Sequence, residues 1–170
     1  MCTRPLSHNA QSSVGSTLFR MDTDALLERL QVLEDERAIL HTLYQYGHAM
    51  DYGPDADFID CFTPDGVWDV RMRKTPGGAF TCAGHGEIAA SLSVQTSVRA
   101  PALYAKHLLI EPRIVLDGDA ASVQSYFVRI EPRDAEPTQI VASGRYVDRL
   151  IRCDDGRWRI TERIAEIDDM

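Results

Sequence analysis

The sequence is poor in cysteine, has no long apolar run and shows no excess of basic residues, and each absence excludes a class of protein. Four cysteines occur among 170 residues, and none forms a CxxC pair, which argues against a zinc site and a disulfide framework. No stretch of about 18 apolar residues predicts a membrane span. With 18 basic and 26 acidic residues the net charge is −8, which disfavours nucleic acid and anionic membranes as partners.

Motifs for cofactors and metals are also missing. The sequence contains no GxGxxG, P-loop or GxSxG motif, so we expect no nicotinamide or nucleoside-phosphate cofactor. No HxH or HxxxH pair offers ligands for a metal, and we expect none. The cysteines are expected to be idle thiols in a reducing cytoplasm. They are Cys2, Cys61, Cys82 and Cys153.

The length fits one domain with one core. Residues 1–20 are polar, contain several serines and lack the apolar centre of a signal peptide. They predict a disordered tail that precedes a domain over 21–170. Whether translation starts at Met1 or at Met21 stays open.

The sequence of the domain predicts two helices, then two strands and a third helix, and finally a run of strands. A break of the first helix near Asp35 is an alternative, and Thr63–Gly66 and Asp154–Gly156 are expected to be turns. Because the strands follow one another along the chain, the fold class is α+β and not alternating βαβ. The predicted elements are helices over 22–51 and 55–62, strands over 67–73 and 79–84, a helix over 84–97, and strands over 103–116, 121–131, 139–152 and 157–166.

The first helix carries an apolar stripe that needs a partner surface. Tyr46 and Asp51 lie on opposite flanks of this stripe, so both can reach an interior that it faces. On spacing alone, Asp51 could equally join Tyr44 and His48 in a solvated polar face. The stripe consists of Val32, Ile39, Leu43 and Met50.

Both faces of the strand over 139–152 carry apolar residues. Two apolar faces indicate two covered faces, so we expect a homo-oligomer, a dimer or trimer, formed through the outer face of the sheet. The residues are Val141, Val147 and Ile151 on one face and Ile140, Tyr146 and Leu150 on the other.

Three segments, 39–70, 106–128 and 142–160, and the TERI that follows them resemble the SnoaL-like branch of the nuclear-transport-factor-two-like superfamily. The likeness spans about 35–165. Scytalone dehydratase, bile-acid 7α-dehydratase and hexachlorocyclohexane dehydrochlorinase are of this type. The resemblance implies a cone-shaped, bent antiparallel sheet, a cystatin-like α+β barrel, with about three helices at its mouth. It also implies one deep apolar pocket and a cytoplasmic homo-oligomer.

The resemblance also implies site residues. These enzymes share an aspartate at the end of the first helix and a histidine on the first long strand, and the matching positions here are Asp51 in AMDYG and His107 in AKHLL. A polar residue five places before the aspartate corresponds to Tyr46. An arginine five places after the last-strand tryptophan corresponds to Arg163. The implied catalytic set is Tyr46, Asp51, His107 and Arg163.

Other parts of the implied site depend on strand geometry. Simple alternation puts Arg163 on the face opposite Trp158, so an inward Arg163 requires a bulge or a strand end. We expect Trp68, Phe127 and Met50 to form substrate-binding walls. Taken singly, a strand histidine or a helix-terminal aspartate is more often structural than catalytic.

The resulting hypothesis is a cofactor-free lyase or isomerase acting on a small polycyclic or aromatic compound such as a steroid, terpenoid or polyketide. His107 would take a proton from carbon, Asp51 would orient the imidazole, and Tyr46 would donate a hydrogen bond to developing charge. Two alternatives stay open. One is a non-catalytic small-molecule-binding or assembly module of the same fold, and the other is an enzyme of the epoxide-hydrolase or cyclase type.

Overall fold

The computed structural model describes residues 23–73, 76–98, 105–133 and 136–168. The predicted tail over 1–20 lies outside these residues. A short 3-10 turn, Pro76–Gly78, precedes the second strand. The elements are helices α1 (Thr23–Asp51) and α2 (Asp55–Ile59), strands β1 (Phe62–Met72) and β2 (Phe80–Ala83), helix α3 (Gly84–Val98), and strands β3 (Lys106–Asp117), β4 (Ala120–Arg133), β5 (Glu136–Arg152) and β6 (Trp158–Asp168).

The six strands form one curled sheet in the order β2-β1-β6-β5-β4-β3. Four of its five strand pairs are antiparallel, as expected. The β1–β6 pair is parallel. No hairpin joins these two strands, so the chain connection does not require them to be antiparallel. Within the described residues the sheet does not close, since β2 and β3 form its two edges. The α+β fold is confirmed, and its barrel is an open, curled sheet.

Helix α1 is continuous, so the suggested break near Asp35 is wrong. Its buried positions follow the helical repeat and include Ile39, Leu43, Tyr46 and Ala49, which lie against the concave, inner face of the sheet. Val32, a member of the predicted stripe, is exposed. The stripe starts at Asp35 instead, because residues 23–34 lie beyond the sheet and are all exposed.

Asp35 is the polar anchor of α1. Its carboxylate accepts hydrogen bonds from Trp158 Nε1 at 3.2 Å and from Arg152 Nη2 at 2.5 Å. Farther along the helix, the Thr42 hydroxyl donates to the Trp158 carbonyl at 2.6 Å. These bonds join α1 to the ends of β5 and β6, which fixes the direction in which the rest of the helix crosses the sheet.

Two irregularities shape the strands around this helix. The predicted turn at Thr63–Gly66 is instead part of β1, where the register against β6 shifts between Phe62 and Val67. In β3 the register shifts between Ile110 and Arg113, and Glu111 has φ of 48°. The second irregularity includes Pro112, which lies between the two residues where the register shifts. Bulges of this kind bend a sheet.

Candidate functional site

The end of α1 meets the start of β3 through Asp51 and His107. Asp51 Oδ1 lies 2.5 Å from His107 Nδ1, and Asp51 Oδ2 accepts the His107 backbone N–H at 2.6 Å. The side chains of His107 and Asp51 are 19% and 7% exposed. The two residues that the resemblance paired are therefore in direct contact, and their catalytic role stays a prediction.

This contact selects one tautomer of the imidazole. A carboxylate can only accept, so the Nδ1 atom of neutral His107 must carry the hydrogen. Nε2 then holds the lone pair and is the ring nitrogen that Asp51 does not engage. A histidine held in this way can accept a proton at Nε2, and the carboxylate stabilises the imidazolium that forms.

Tyr46 lies about one and a half turns before Asp51, at the centre of a group of aromatic rings. It is 3% exposed, and its ring centroid lies 4.7 Å from that of Phe58 and 5.8 Å from that of Tyr146. Burial raises the pKa of Tyr46 to about 12, against the opposing effect of the Arg163 charge. At neutral pH the Tyr46 hydroxyl is therefore protonated and able to donate.

Arg163 points inward because β6 contains a bulge. Arg149 pairs with Glu162 whereas Leu150 pairs with Ile160, which leaves Thr161 as the extra residue. Simple alternation therefore fails after Ile160, and the expectation that it governs Arg163 is wrong. The Arg163 side chain is fully buried.

The buried Arg163 is neutralised by Asp148, a residue that was not predicted to belong to the site. Arg163 Nε and Nη2 each donate to one oxygen of Asp148 at 2.7 Å, and both side chains have no exposed surface. The guanidinium carbon lies 3.9 Å from the Tyr46 ring centre and 4.3 Å from that of Tyr146. Burial lowers the pKa of Arg163, but the Asp148 charge raises it further, so the group stays charged.

Two buried donors near Tyr46 have no partner among the described residues. Trp68 and Arg163 are directly paired in register across β1 and β6. Both side chains lower the pKa of Tyr46 as hydrogen-bond donors directed at its hydroxyl oxygen, although neither Trp68 Nε1 nor Arg163 Nη1 completes a hydrogen bond of full geometry. Since buried donors are almost always satisfied, these atoms are suited to an oxygen of a bound molecule or to water.

The three predicted wall residues differ in their surroundings. Trp68 and Phe127 are buried on the inner face of the sheet, and Met50 is half-buried against the same core. Phe127 stacks on Tyr146 with ring centroids 4.5 Å apart. Tyr146 itself was missed as a site residue, although its alternation with Asp148 and Leu150 along β5 placed all three on one face.

A separate groove of about 590 Å³ lies between α1 and the turn that joins β5 to β6. Its lining includes Leu33, Arg37, His41 and Trp158. His41 lies ten residues before Asp51, which corresponds to about 15 Å along a helix. This groove is therefore distinct from the site around His107.

The described residues gather no group of three or more histidine, cysteine, aspartate or glutamate side chains suited to a metal ion. Cys61 and Cys82 are buried and Cys153 is half-buried, and all three are free thiols. Cys2 lies outside the described residues. None of the described helices is long and apolar enough to cross a membrane.

The fold is similar to several solved structures, whereas no curated protein shows significant similarity to the chain. An NTF2-like protein with a cystatin-like fold from Novosphingobium aromaticivorans is 24% identical with a TM-score of 0.69, over 87% of this chain and 91% of that one. A Catenulispora acidiphila protein in complex with S-DNPA is 26% identical with a TM-score of 0.63, over 78% and 92%.

ActVI-ORFA from Streptomyces coelicolor is 18% identical with a TM-score of 0.63, over 78% of this chain and 96% of that one. At these identities the structural likeness to the Novosphingobium and Streptomyces proteins concerns the fold. The family model for the SnoaL-like domain matches residues 31–164, which is most of the chain and includes the end of α1 and all of β3. The chain therefore belongs to the SnoaL-like domain family.

Proposed function

We propose that the protein is a cofactor-free lyase or isomerase that removes a proton from carbon, with His107 as the general base. The observation that carries this proposal is the contact of Asp51 with Nδ1 of His107. It orients the ring and leaves Nε2 as the basic atom. A positioned base of this kind supplies a rate enhancement of about 10²–10⁴-fold.

The reaction begins at a C–H bond next to an electron-withdrawing group. Nε2 of His107 takes the proton, and the electron pair of the C–H bond moves toward that group. In an elimination, the pair then forms a double bond as the hydroxyl takes the proton from Nε2 and leaves as water, which restores neutral His107. In an isomerisation, the proton on Nε2 returns to a different carbon and no group leaves. Asp51 stabilises the imidazolium in both cases.

The buried donors near the centre of the sheet serve the oxygen of the substrate on which charge develops. Tyr46 is protonated at neutral pH because its pKa is about 12. Together with the unsatisfied Trp68 Nε1 and Arg163 Nη1, it can donate to an oxygen on which negative charge develops. We assign Arg163 a second use, since its ion pair with Asp148 holds the Tyr46 and Tyr146 rings in place.

The substrate is a small polycyclic or aromatic compound of the steroid, terpenoid or polyketide type. The match to the SnoaL-like domain family supports this class. The aromatic residues Trp68, Phe127 and Tyr146 belong to the packed core of the inner face. The Catenulispora relative, which is in complex with S-DNPA, supports the use of this fold for a small ligand.

We also propose a homo-oligomer, dimer or trimer, in the cytoplasm. The outer face of the sheet exposes large apolar side chains, including Leu108, Ile110, Tyr126 and Ile151. The free thiols of Cys61, Cys82 and Cys153 suit a reducing compartment.

A non-catalytic binding or assembly module of the same fold is the second candidate. One contact favours it: Asp51 Oδ2 accepts the backbone N–H of His107 at 2.6 Å. This bond joins α1 to β3 and gives Asp51 a structural use without any reaction. An epoxide-hydrolase type is less favoured, because among the described residues Arg163 pairs with a single carboxylate, that of Asp148, whereas positioning a water calls for further polar groups.

Proton exchange with solvent tests the proposal across a panel of candidate substrates. The protein is incubated in D₂O with polycyclic ketones and β-hydroxy ketones, and mass spectrometry detects deuterium uptake or loss of water. We expect at least one compound to react, and H107A to abolish the reaction. H48A, which changes an exposed histidine of the same helix end, should react normally. Binding without exchange across the panel, or equal rates in H107A, would support the binding module instead.

A further inference from the structure

We propose that Arg129 is a specificity-determining residue that selects a substrate carrying a negative charge, such as a carboxylate, next to the carbon from which His107 removes a proton. This inference rests on the proposed function, because both place the ligand against His107. It adds the chemical class of the substrate and a residue that neither the sequence pattern nor the resemblance singled out.

The sheet register places Arg129 beside the proposed base. Arg129 on β4 is the direct partner of His107 on β3, and directly opposed residues of an antiparallel pair share a face, with Cβ atoms about 4.5–5.5 Å apart. Alternation agrees, since Val123, Ser125 and Phe127 are buried on the inner face. Arg129 is the next residue of that series.

The guanidinium of Arg129 is only partly engaged. Its Nη2 pairs with Glu131, and the two side chains are 38% and 16% exposed. Its Nε is buried and has no hydrogen-bond partner among the described residues. A buried N–H of a charged group without an acceptor is costly, so this atom is suited to an acceptor oxygen that a ligand brings.

The exposure of Arg129 is suited to a ligand that enters from solvent. Farther along the inner face, toward Tyr146 and Arg163, the side chains are buried, whereas Arg129 keeps over a third of its surface accessible. Arginine presents a planar fork that binds carboxylates with two parallel hydrogen bonds. A substrate held by its carboxylate at Arg129 would present the neighbouring carbon to Nε2 of His107.

Binding of a matched pair of probes tests this assignment. We use 2-naphthylacetate, which is an anion at neutral pH, and 2-naphthylacetamide, which has nearly the same shape without the charge. Titration calorimetry on the full chain measures both dissociation constants. We expect wild-type protein to bind the carboxylate about tenfold or more tightly than the amide, as expected for hydrogen bonds to a charged group.

Variants of Arg129 then show whether this residue causes the preference for the carboxylate probe. R129Q should reduce it to below about threefold with amide affinity unchanged, and R129K, which keeps the charge but loses the fork, should retain an intermediate preference. R145Q is the matched control, because Arg145 pairs with Glu166 and is more than half exposed on β5. Equal binding of the two probes by wild type, no binding of either at millimolar concentration, or a preference that survives in R129Q would overturn the assignment.

The same titration separates this inference from the proposed function. H107A should keep the carboxylate preference, because the anion contacts Arg129 and not the imidazole. If H107A retains the preference while no compound exchanges deuterium, the anion site stands and the catalytic proposal fails. If exchange occurs but R129Q leaves the preference intact, the catalytic proposal stands and Arg129 has no part in selection.

Discussion

Asp51 holds His107 at two points, the ring nitrogen Nδ1 and the backbone N–H. The backbone bond fixes the carboxylate relative to β3, so the ring cannot turn without losing its acceptor. Replacing Asp51 by asparagine keeps the shape but offers one acceptor oxygen and an NH₂ group, which favours the wrong tautomer. The proposed chemistry therefore depends on the charge and acceptor pattern of Asp51 more than on its size.

The buried tyrosine predicts a specific loss of stability at high pH. The pKa of Tyr46 is about 12 in the fold and about 10 in an unfolded chain. Between these values the unfolded state has lost its proton while the folded state has kept it, so the stabilising contribution is complete below about pH 10 and disappears as pH rises toward about 12. Wild type should therefore lose about 1 kcal/mol more than Y46F between about pH 9 and pH 11.

Urea unfolding at the two pH values measures this difference. Y126F serves as the control, because Tyr126 is exposed on the outer face of the sheet, and it should lose stability in parallel with wild type. Parallel losses in wild type and Y46F would show that Tyr46 ionises as an ordinary tyrosine.

Single residues also show which parts of the site the sequence could predict. Asp51 and His107 were found through their positions in a resembling family, since neither carries a local signal of its own. Asp148 was visible in principle, because it alternates with the buried Tyr146 and Leu150 along β5. Arg163 was also found through the resemblance, but its inward direction was not predictable, since that direction depends on the extra residue Thr161 and no composition rule places a bulge at one residue of a strand.

Helix α1 is the element that carries Tyr46 and Asp51, and its anchor at Asp35 should matter for stability. Burial raises the pKa of Asp35, but hydrogen bonds from Arg152, Trp158 and Gln31 lower it further, so the pKa lies below its ordinary value. Removing the carboxylate leaves the buried Trp158 N–H without its acceptor and leaves Arg152 with Asp119 as its remaining ion-pair partner. D35A should therefore lower the free energy of unfolding by about 2–4 kcal/mol.

Thermal and urea unfolding measure this effect. D35N keeps an acceptor for Trp158 Nε1 and should lose less than D35A. E34A, at the exposed neighbouring position, should stay within about 0.5 kcal/mol of wild type. A D35A protein as stable as E34A would remove Asp35 as the anchor of the helix.

For the molecule as a whole, the order of elements was predictable because hairpin signals and helix stops follow one another along the chain. The parallel β1–β6 pair was not, because it joins strands far apart in sequence. The exposed start of α1 was also missed, since a helical wheel shows which residues share a face but not how far the sheet extends beneath them. The proposed pocket therefore rests on long-range pairings such as His107 with Arg129.

The outer face of the sheet predicts association of whole molecules. Ile110 and Tyr126 are direct partners across β3 and β4 and are 37% and 59% exposed. Placing charge on both should disrupt a contact made through this face. Sedimentation velocity at micromolar concentration should show a dimer or trimer for wild type and monomer for I110K/Y126K. V94K, at an exposed position on α3, should behave as wild type, and a monomeric wild type would contradict the proposed oligomer.

The central claim is that Asp51 and His107 act as one catalytic unit, and a double-mutant cycle on the solvent-exchange reaction tests it most directly. H107A and D51N should each lower the rate by about 10²–10⁴-fold. Because the carboxylate acts only through the imidazole, the H107A/D51N double variant should be no slower than H107A alone. Losses that multiply in the double variant, or a D51N protein that exchanges at the wild-type rate, would contradict the dyad and leave Asp51 a structural link between α1 and β3.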